Sequence, residues 1–175
     1  MKILLIRHGQ TTGDIENRYG GQYDDTLTSE GVGQLHDTAQ KLVSKKIDKI
    51  FTSSLKRAQE STEIINKVVQ TEVDVIHDLR ERNYGVLGGL TKQDAIEKYP
   101  EAVELHKNPD NTDPEGESRL DFVTRVEKAF NSIVSEQYDQ IIILGHGGSI
   151  KVILNYLKLP LPQSIGDGEI IEVNY

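Results

Sequence analysis

The chain has 175 residues, a length that suits one domain with a single substantial core. Its formal net charge of −8 argues against a nucleic-acid-binding surface and against contact with anionic membranes, because both partners require a basic face. The absence of cysteine excludes disulfides, thiolate catalysis and zinc–thiolate sites. The apolar runs are too short to cross a bilayer, and the N-terminal segment does not resemble a secretory signal. We therefore expect a cytoplasmic protein without membrane or nucleic-acid partners.

Five short segments predict β-strands, and continuous apolar runs among them are typical of a sheet that is covered on both faces. The last segment, at the end of the chain, is predicted to be an edge strand. In chain order the segments are KILLI (2–6), KIFT (49–52), VDVI (73–76), IIIL (141–144) and EIIEVNY (169–175).

Apolar residues recur at helical spacing between these strands, which predicts four main helices. The first begins after Thr28, a candidate N-cap, and extends to about Ser44. The others run from Ser54 to about Val69, from about Glu117 to Ser135, and onward from the sequence HGG at 146–148.

Strands that alternate with helices predict an α/β fold with three layers, α/β/α. Its sheet should be open and mostly parallel, with helices on both faces. One domain over 1–175 is expected, interrupted by a lid-like insertion at about 85–117. This insertion contains GVLGGL, a short candidate helix from Thr91 to Tyr99 and the polar stretch HKNPDNTDPEGE.

Polar side chains that could do chemistry follow four of the predicted strands. Arg7 and His8 end the first strand, and Arg57 stands about one turn into the helix after the second. Glu81 follows the third strand, and His146 follows the fourth, before two glycines. Each residue alone has an ordinary explanation, as a surface charge or a turn residue. Because sites form where the carboxyl ends of parallel strands meet, we expect all five to lie close together.

Together these residue types favour the handling of a phosphoryl group. Arginine binds phosphate oxygens through a rigid fork of donors and keeps its charge. The glycines after His146, of which Gly147 is the first, expose backbone N–H groups at a helix N-terminus, which is a further anion site. A neutral imidazole is a competent nucleophile toward phosphorus, and a carboxylic acid such as Glu81 can protonate the leaving alkoxide.

A metal site is the competing interpretation. His8, His146 and a carboxylate such as Asp14 could form a ligand set. No HExxH or HxH spacing is present, however, and the arginines would repel a nearby cation. We therefore expect neither a metal nor another cofactor.

The ordered motifs RHGQT, SSLKRAQES, LRERNYGVLGGL, PEGES and LGHGGSI resemble those of the histidine phosphatase superfamily, the phosphoglycerate mutase-like proteins, over nearly the whole chain. The resemblance implies a metal-independent reaction in two steps through a phosphohistidine. By position, His8 matches the nucleophile, and Glu81 matches the general acid that becomes the base for water in the second step. Arg7, Arg57 and His146 match the phosphate pocket.

Two stretches, ENRYGGQYDD and ERNYGVLGGLTK, are similar to the cofactor-dependent phosphoglycerate mutases in particular. Tyr84 and Lys92 match their substrate-side tyrosine and lysine, and we count Gly21 and Gly147 among the candidate phosphate-binding residues. The stretch AVELHKNPDNTDPEGES is too short for the mutases' long insertion with its paired arginines. Gly20 also stands where those enzymes have a phosphate-contacting serine or threonine.

Asp14 is the difference from the family that affects phosphate binding most, because family members usually have asparagine at this position. An ionised aspartate cannot donate to phosphate and repels a dianion. Asp14 therefore either points away, bonds an arginine or is protonated in the complex.

These observations predict a phosphomonoester hydrolase that acts on a small phosphorylated metabolite, as a monomer or homodimer. A cofactor-dependent phosphoglycerate mutase is one alternative, and a catalytically silent phosphate-binding protein, favoured by Asp14, is another. Within the insertion, Lys92, His106 and Lys107 favour a small anionic substrate.

Overall fold

The computed structural model describes residues 1–175 and contains five strands and seven α-helices. The strands are β1 (Lys2–Arg7), β2 (Lys49–Ser53), β3 (Glu72–Ile76), β4 (Gln140–Gly145) and β5 (Ile170–Asn174). The helices are α1 (Thr12–Ile15), α2 (Ser29–Gln40), α3 (Lys56–Val69), α4 (Lys92–Lys98), α5 (Pro100–His106), α6 (Arg119–Val134) and α7 (Gly147–Tyr156).

The five strands form one sheet in the order β3-β2-β4-β1-β5. The first four are parallel to their neighbours, and β5 pairs antiparallel with β1 at the edge. The predicted α/β class, the mostly parallel sheet and the C-terminal edge strand are thus confirmed.

Alternate residues of the central strands pack against helices on opposite faces of the sheet. Ile3 and Leu5 belong to a core cluster completed by α6 and α7, whereas Leu4 and Ile6 belong to a cluster completed by α2 and α3. Because both sets of side chains are fully buried, the strand sequence is apolar throughout rather than alternating. This confirms the three-layer arrangement.

Two of the predicted helix boundaries are wrong. The helix after Thr28 ends at Gln40. Backbone N–H groups in the next segment, 41–45, donate to the carbonyl oxygen three residues earlier, which is a tighter turn than that of an α-helix. Leu42 in this segment is buried in the core. The next helix begins at Lys56, since Ser53 Oγ accepts a bond from the Leu55 N–H and holds the chain extended there. Arg57 is consequently the second residue of α3 and not one turn into it.

The insertion at 85–117 contains two helices where one was predicted. The predicted one is α4, capped by Thr91, and α5 follows directly with Pro100 at its first position. Buried Leu87, Ala95 and Ala102 pack beneath them against Tyr19, in a small third cluster. None of the chain's helices combines the length and apolar character that crossing a membrane requires.

Candidate active site

A cavity of about 410 Å³ lies at the carboxyl edge of the sheet, where the predicted residues meet. The side chains of Arg7, His8, Arg57 and Glu81 line it. His146 lies behind them, fully buried, with its ring centroid 5.2 Å from that of His8. The structure therefore brings together the residues that the sequence analysis placed at the ends of four strands.

His8 is buried and is held in one neutral tautomer. Its Nδ1 lies 2.8 Å from the Gly9 carbonyl oxygen, so that nitrogen carries the proton and donates. Its Nε2 accepts from Arg57 Nε at 3.2 Å. Burial, and after it the Arg57 charge, lowers the pKa of His8 to about 3. Nε2 consequently carries no proton at neutral pH, and its lone pair accepts from Arg57 until an anion takes its place.

Arg57 is fixed by acceptors on three sides. It donates to the carbonyl oxygens of Gly21 and Tyr23 and pairs with Asp25 at 3.0 Å. Both members of that ion pair are buried. Removing one member of a buried pair costs about 3–5 kcal/mol, so Arg57 is held rigidly beside His8.

Arg7 is anchored from the opposite wall of the cavity. Its guanidinium donates to the Ile165 carbonyl oxygen at 2.5 Å and lies 3.0 Å from the Asp167 carboxylate. Its buried Nε has no hydrogen-bond partner. That donor is available to an anion in the cavity, which an isolated structural arginine would not offer.

His146 has one nitrogen engaged and one without a partner. Its Nε2 lies 2.8 Å from Ser53 Oγ, whereas its buried Nδ1 has none. Burial, then the charge of Arg57, lowers the pKa of His146 well below its ordinary value. The ring is therefore neutral and rests directly behind the nucleophile candidate.

Glu81 is held by two backbone donors. Its Oε1 accepts from the Arg82 N–H and its Oε2 from the Gly148 N–H, each at 2.8 Å. The second donor belongs to the first turn of α7. Glu81 thus lines the same cavity as His8, in a fixed orientation.

The loop that carries Glu81 is itself anchored by an ion pair that sequence reasoning missed. Arg125 on α6 contacts the carboxylate of Glu117 with two nitrogens, at 2.6 and 2.8 Å. The same guanidinium donates to the carbonyl oxygens of Asp78, Arg80 and Glu81. Glu117 lies in the PEGES motif, which was the available signal, whereas nothing in the sequence around Arg125 pointed to this role.

The remaining candidates for phosphate and substrate binding divide into two groups. Gly21, Gly147 and Tyr84 line the cavity. Burial, then the Glu81 carboxylate, raises the pKa of Tyr84, which keeps its phenol protonated. Lys92 lines no part of the cavity, and its ammonium instead lies 3.0 Å from the ring centroid of Tyr19.

The backbone at position 21 requires a glycine. Its φ of +55° is in the left-handed region, and a Cβ there would lie 2.9 Å from both the Arg82 carbonyl oxygen and the Tyr84 ring. Gly20, by contrast, has open space where a Cβ would stand.

Asp14 is committed to a helix cap. Its Oδ2 accepts from the backbone N–H and from the hydroxyl of Thr11, each at 2.8 Å, and its own N–H donates to that hydroxyl. These bonds form the capping box of α1. Asp14 still lines the cavity rim, but it contacts no arginine.

No group of three or more histidine and carboxylate side chains is placed to hold a metal ion. The set of His8, His146 and Asp14 considered above is thus not assembled as ligands. The arrangement instead presents the arginine donors to an anion, beside the unprotonated Nε2 of His8.

Known proteins similar to this chain include mutases and phosphatases. A model of the histidine phosphatase superfamily (branch 1) matches residues 3–167. A 2,3-bisphosphoglycerate-dependent phosphoglycerate mutase from Beijerinckia indica is 33% identical over 96% of this chain and 86% of its own. The solved alpha-ribazole phosphatase from Shigella flexneri shares the fold, with a TM-score of 0.89 over 99% of this chain and 90% of that one at 24% identity. Mycobacterial glucosyl-3-phosphoglycerate phosphatase has a TM-score of 0.80 and 26% identity over 98% of this chain and 88% of that one.

Proposed function

Since the chain belongs to branch 1 of the histidine phosphatase superfamily, we propose that it is a phosphomonoester hydrolase that works through a phosphohistidine at His8. The observation that carries this proposal is the neutral His8, which lines a cavity together with Arg7, Arg57 and Glu81 and whose unprotonated Nε2 accepts from Arg57. The solved mycobacterial phosphatase is a second support. The expected partner is a small phosphorylated substrate.

The first step transfers the phosphoryl group to His8. The substrate's phosphate oxygens take the place of His8 Nε2 as acceptors for Arg57, and they also bind Arg7 Nε and His146 Nδ1. The Nε2–phosphorus bond then forms as the phosphorus–oxygen bond to the alcohol breaks. Glu81 gives its proton to the leaving oxygen.

The second step releases phosphate. Glu81, now a carboxylate, takes a proton from a water molecule that attacks phosphorus as the Nε2–phosphorus bond breaks. Inorganic phosphate leaves, Glu81 is protonated again, and His8 returns to its neutral form. Buried donors that are fixed before substrate arrives stabilise the charge on the equatorial oxygens in both steps.

A phosphoglycerate mutase is the second candidate, because the curated relatives carry that name. Two observations favour hydrolysis instead. Lys92, which the resemblance matched to a substrate-side lysine, packs on Tyr19 and does not line the cavity. Lys107, directly after α5, pairs with Glu104 on the surface and does not line the cavity either.

The test is hydrolysis of phenyl phosphate in the presence of a chelator, alongside isomerisation of 3-phosphoglycerate with a bisphosphorylated primer. We expect chelator-insensitive release of phosphate that is lost in His8→Ala, without isomerisation. Isomerisation faster than hydrolysis would establish the mutase. Vanadate binding with no turnover on any phosphomonoester would establish a silent binding protein.

A further inference from the structure

A second cavity of about 370 Å³ adjoins the one that contains His8. The two share a wall made by Glu81, Tyr84, Gly148 and Lys151. Because Glu81 is the proposed proton donor to the leaving oxygen, an alcohol bound for reaction extends past Glu81 into this second cavity. The volume lies within the range of pockets that hold a small organic ligand.

One wall of the second cavity is apolar. Phe122 and Val123 come from α6, Val152 from α7, and Leu161 from the loop that follows α7. Leu161 is 52% exposed although it is a large apolar residue. A flat ring placed against these side chains would remove their apolar surface from water.

The charged side chains around this cavity are already engaged. Arg82 donates to the backbone carbonyl oxygens of Pro109, Asn111 and Glu117, and Arg119 pairs with Asp110. The Lys151 ammonium donates to the Gln163 carbonyl oxygen at 3.0 Å. The two arginines of the lining are thus held by acceptors of the protein, and Lys151 lies on the wall that the two cavities share.

A buried carboxylate faces the same space. Asp113 is 3% exposed and lines the cavity, and its Oδ2 lies 2.8 Å from His106 Nδ1. Its Oδ1 has no hydrogen-bond partner. A buried acceptor without a partner favours a ligand hydroxyl or N–H and disfavours a ligand carboxylate.

We propose that the second cavity binds the leaving alcohol, and that this alcohol is uncharged and carries a flat ring with hydrogen-bond donors, as a nucleoside does. The apolar wall receives the ring, and the Asp113 side receives its donors. An alcohol that bears a carboxylate, such as glycerate, fits this lining poorly. This inference rests on the proposed hydrolase function.

A matched pair of substrates tests whether a ring on the leaving alcohol contributes to binding. Ribose 5-phosphate and adenosine 5′-monophosphate both lose phosphate from a primary hydroxyl, and only the second adds a base. We expect kcat/KM to be about tenfold or more higher for the nucleotide, through KM, with 3-phosphoglycerate the poorest of the three. Equal values for the first two, or a preference for 3-phosphoglycerate, would overturn the inference while leaving the hydrolase function intact. No hydrolysis of any of them, or of phenyl phosphate, would instead remove the hydrolase function.

Two variants and one control test whether the second cavity causes this substrate preference. Leu161→Ala removes part of the apolar wall, and we expect it to raise KM for the nucleotide about fivefold and to raise KM for ribose 5-phosphate much less. Leu159→Ala is the matched control, because Leu159 belongs to the same loop and lines neither cavity. Asp113→Asn should raise kcat/KM for 3-phosphoglycerate relative to the nucleotide, because it removes the like charge. Equal effects of the two leucine variants, or an unchanged ratio in Asp113→Asn, would overturn the assignment of this cavity.

Discussion

Glu81 and Gly148 are joined by a 2.8 Å hydrogen bond from the Gly148 N–H to Glu81 Oε2. The contact is so close that a Cβ at position 148 would overlap Glu81 Oε1. The carboxyl group is therefore positioned by the first turn of α7, the helix that begins directly after His146. One turn of backbone thus orients the proposed proton donor next to the phosphate pocket.

This contact predicts that Gly148→Ala displaces Glu81. Since a displacement of about 1 Å can cost about 100-fold in rate, we expect kcat on alkyl phosphates to fall by roughly that factor. The control is Gly33→Ala on α2, where a Cβ meets nothing within 4 Å. Steady-state kinetics on both variants measure the difference. Equal rates for the two would show that Glu81 does not depend on this contact.

The role of Glu81 as proton donor predicts a dependence on the leaving group. Glu81→Gln still fills the site but cannot give up a proton, so turnover of an alkyl phosphate should fall about 100-fold or more. Nitrophenolate leaves almost without protonation, so 4-nitrophenyl phosphate should be affected far less. The measurement is kcat/KM for both substrates in both proteins, because kcat also contains the second step, in which Glu81 acts as the base for every substrate. An equal loss on the two would contradict this role.

Gly20 offers a place to add a phosphate contact. A side chain at this position has open space and the residue lines the catalytic cavity, so Gly20→Ser adds a hydroxyl donor without a clash. One net hydrogen bond to an anion should strengthen inhibition by vanadate about tenfold. The inhibition constant measures this, and an unchanged or weaker constant would mean that the phosphate sits away from Gly20.

The low pKa of His8 predicts a loss of stability in acid. Burial, then Arg57, lowers this pKa to about 3 in the folded chain, whereas the unfolded histidine has a value of about 6.5. Between these values the unfolded chain binds a proton that the folded chain excludes, so the free energy of unfolding falls as pH falls. From about pH 6.5 to about pH 5 this costs about 2 kcal/mol, and His146 acts in the same direction.

Substitution of His8 should remove its share of that loss. His8→Asn retains a donor near the Gly9 carbonyl but has no titrating ring, so its unfolding free energy should depend less on pH. Urea unfolding at the two pH values measures the slope. The control is His36→Asn on the exposed side of α2, which should keep the wild-type slope. A wild-type slope in His8→Asn would contradict the low pKa.

Sequence patterns predicted the centre of the sheet well because its central strands are buried on both faces. Runs such as ILLI and IIIL are apolar throughout, and such runs between helical segments leave few alternatives. The gathering of His8, Arg57, Glu81 and His146 followed from the same topology, since parallel strands bring their carboxyl ends to one edge.

The remaining features depend on contacts that a single sequence does not display. The helix α5 was missed because its buried positions pack on a small cluster with Tyr19, far away in the sequence. The orientation of Asp14 was left open because a capping box with Thr11 and a phosphate contact use the same residue type. Lys92 was matched to a substrate-side lysine by its position in a motif. Its contact with Tyr19, which places its ammonium outside the catalytic cavity, is visible only in the structure.

The central claim is that His8 carries the phosphoryl group between two steps. The most direct measurement is quenching of the enzyme with alkali or detergent during turnover of a labelled phosphomonoester, with chelator present, followed by analysis of the label on the protein. We predict an acid-labile, base-stable phosphoryl group on His8 in the wild type and none in His8→Asn. Turnover without any trapped label in the wild type under single-turnover conditions, or label of the same amount in His8→Asn, would contradict it.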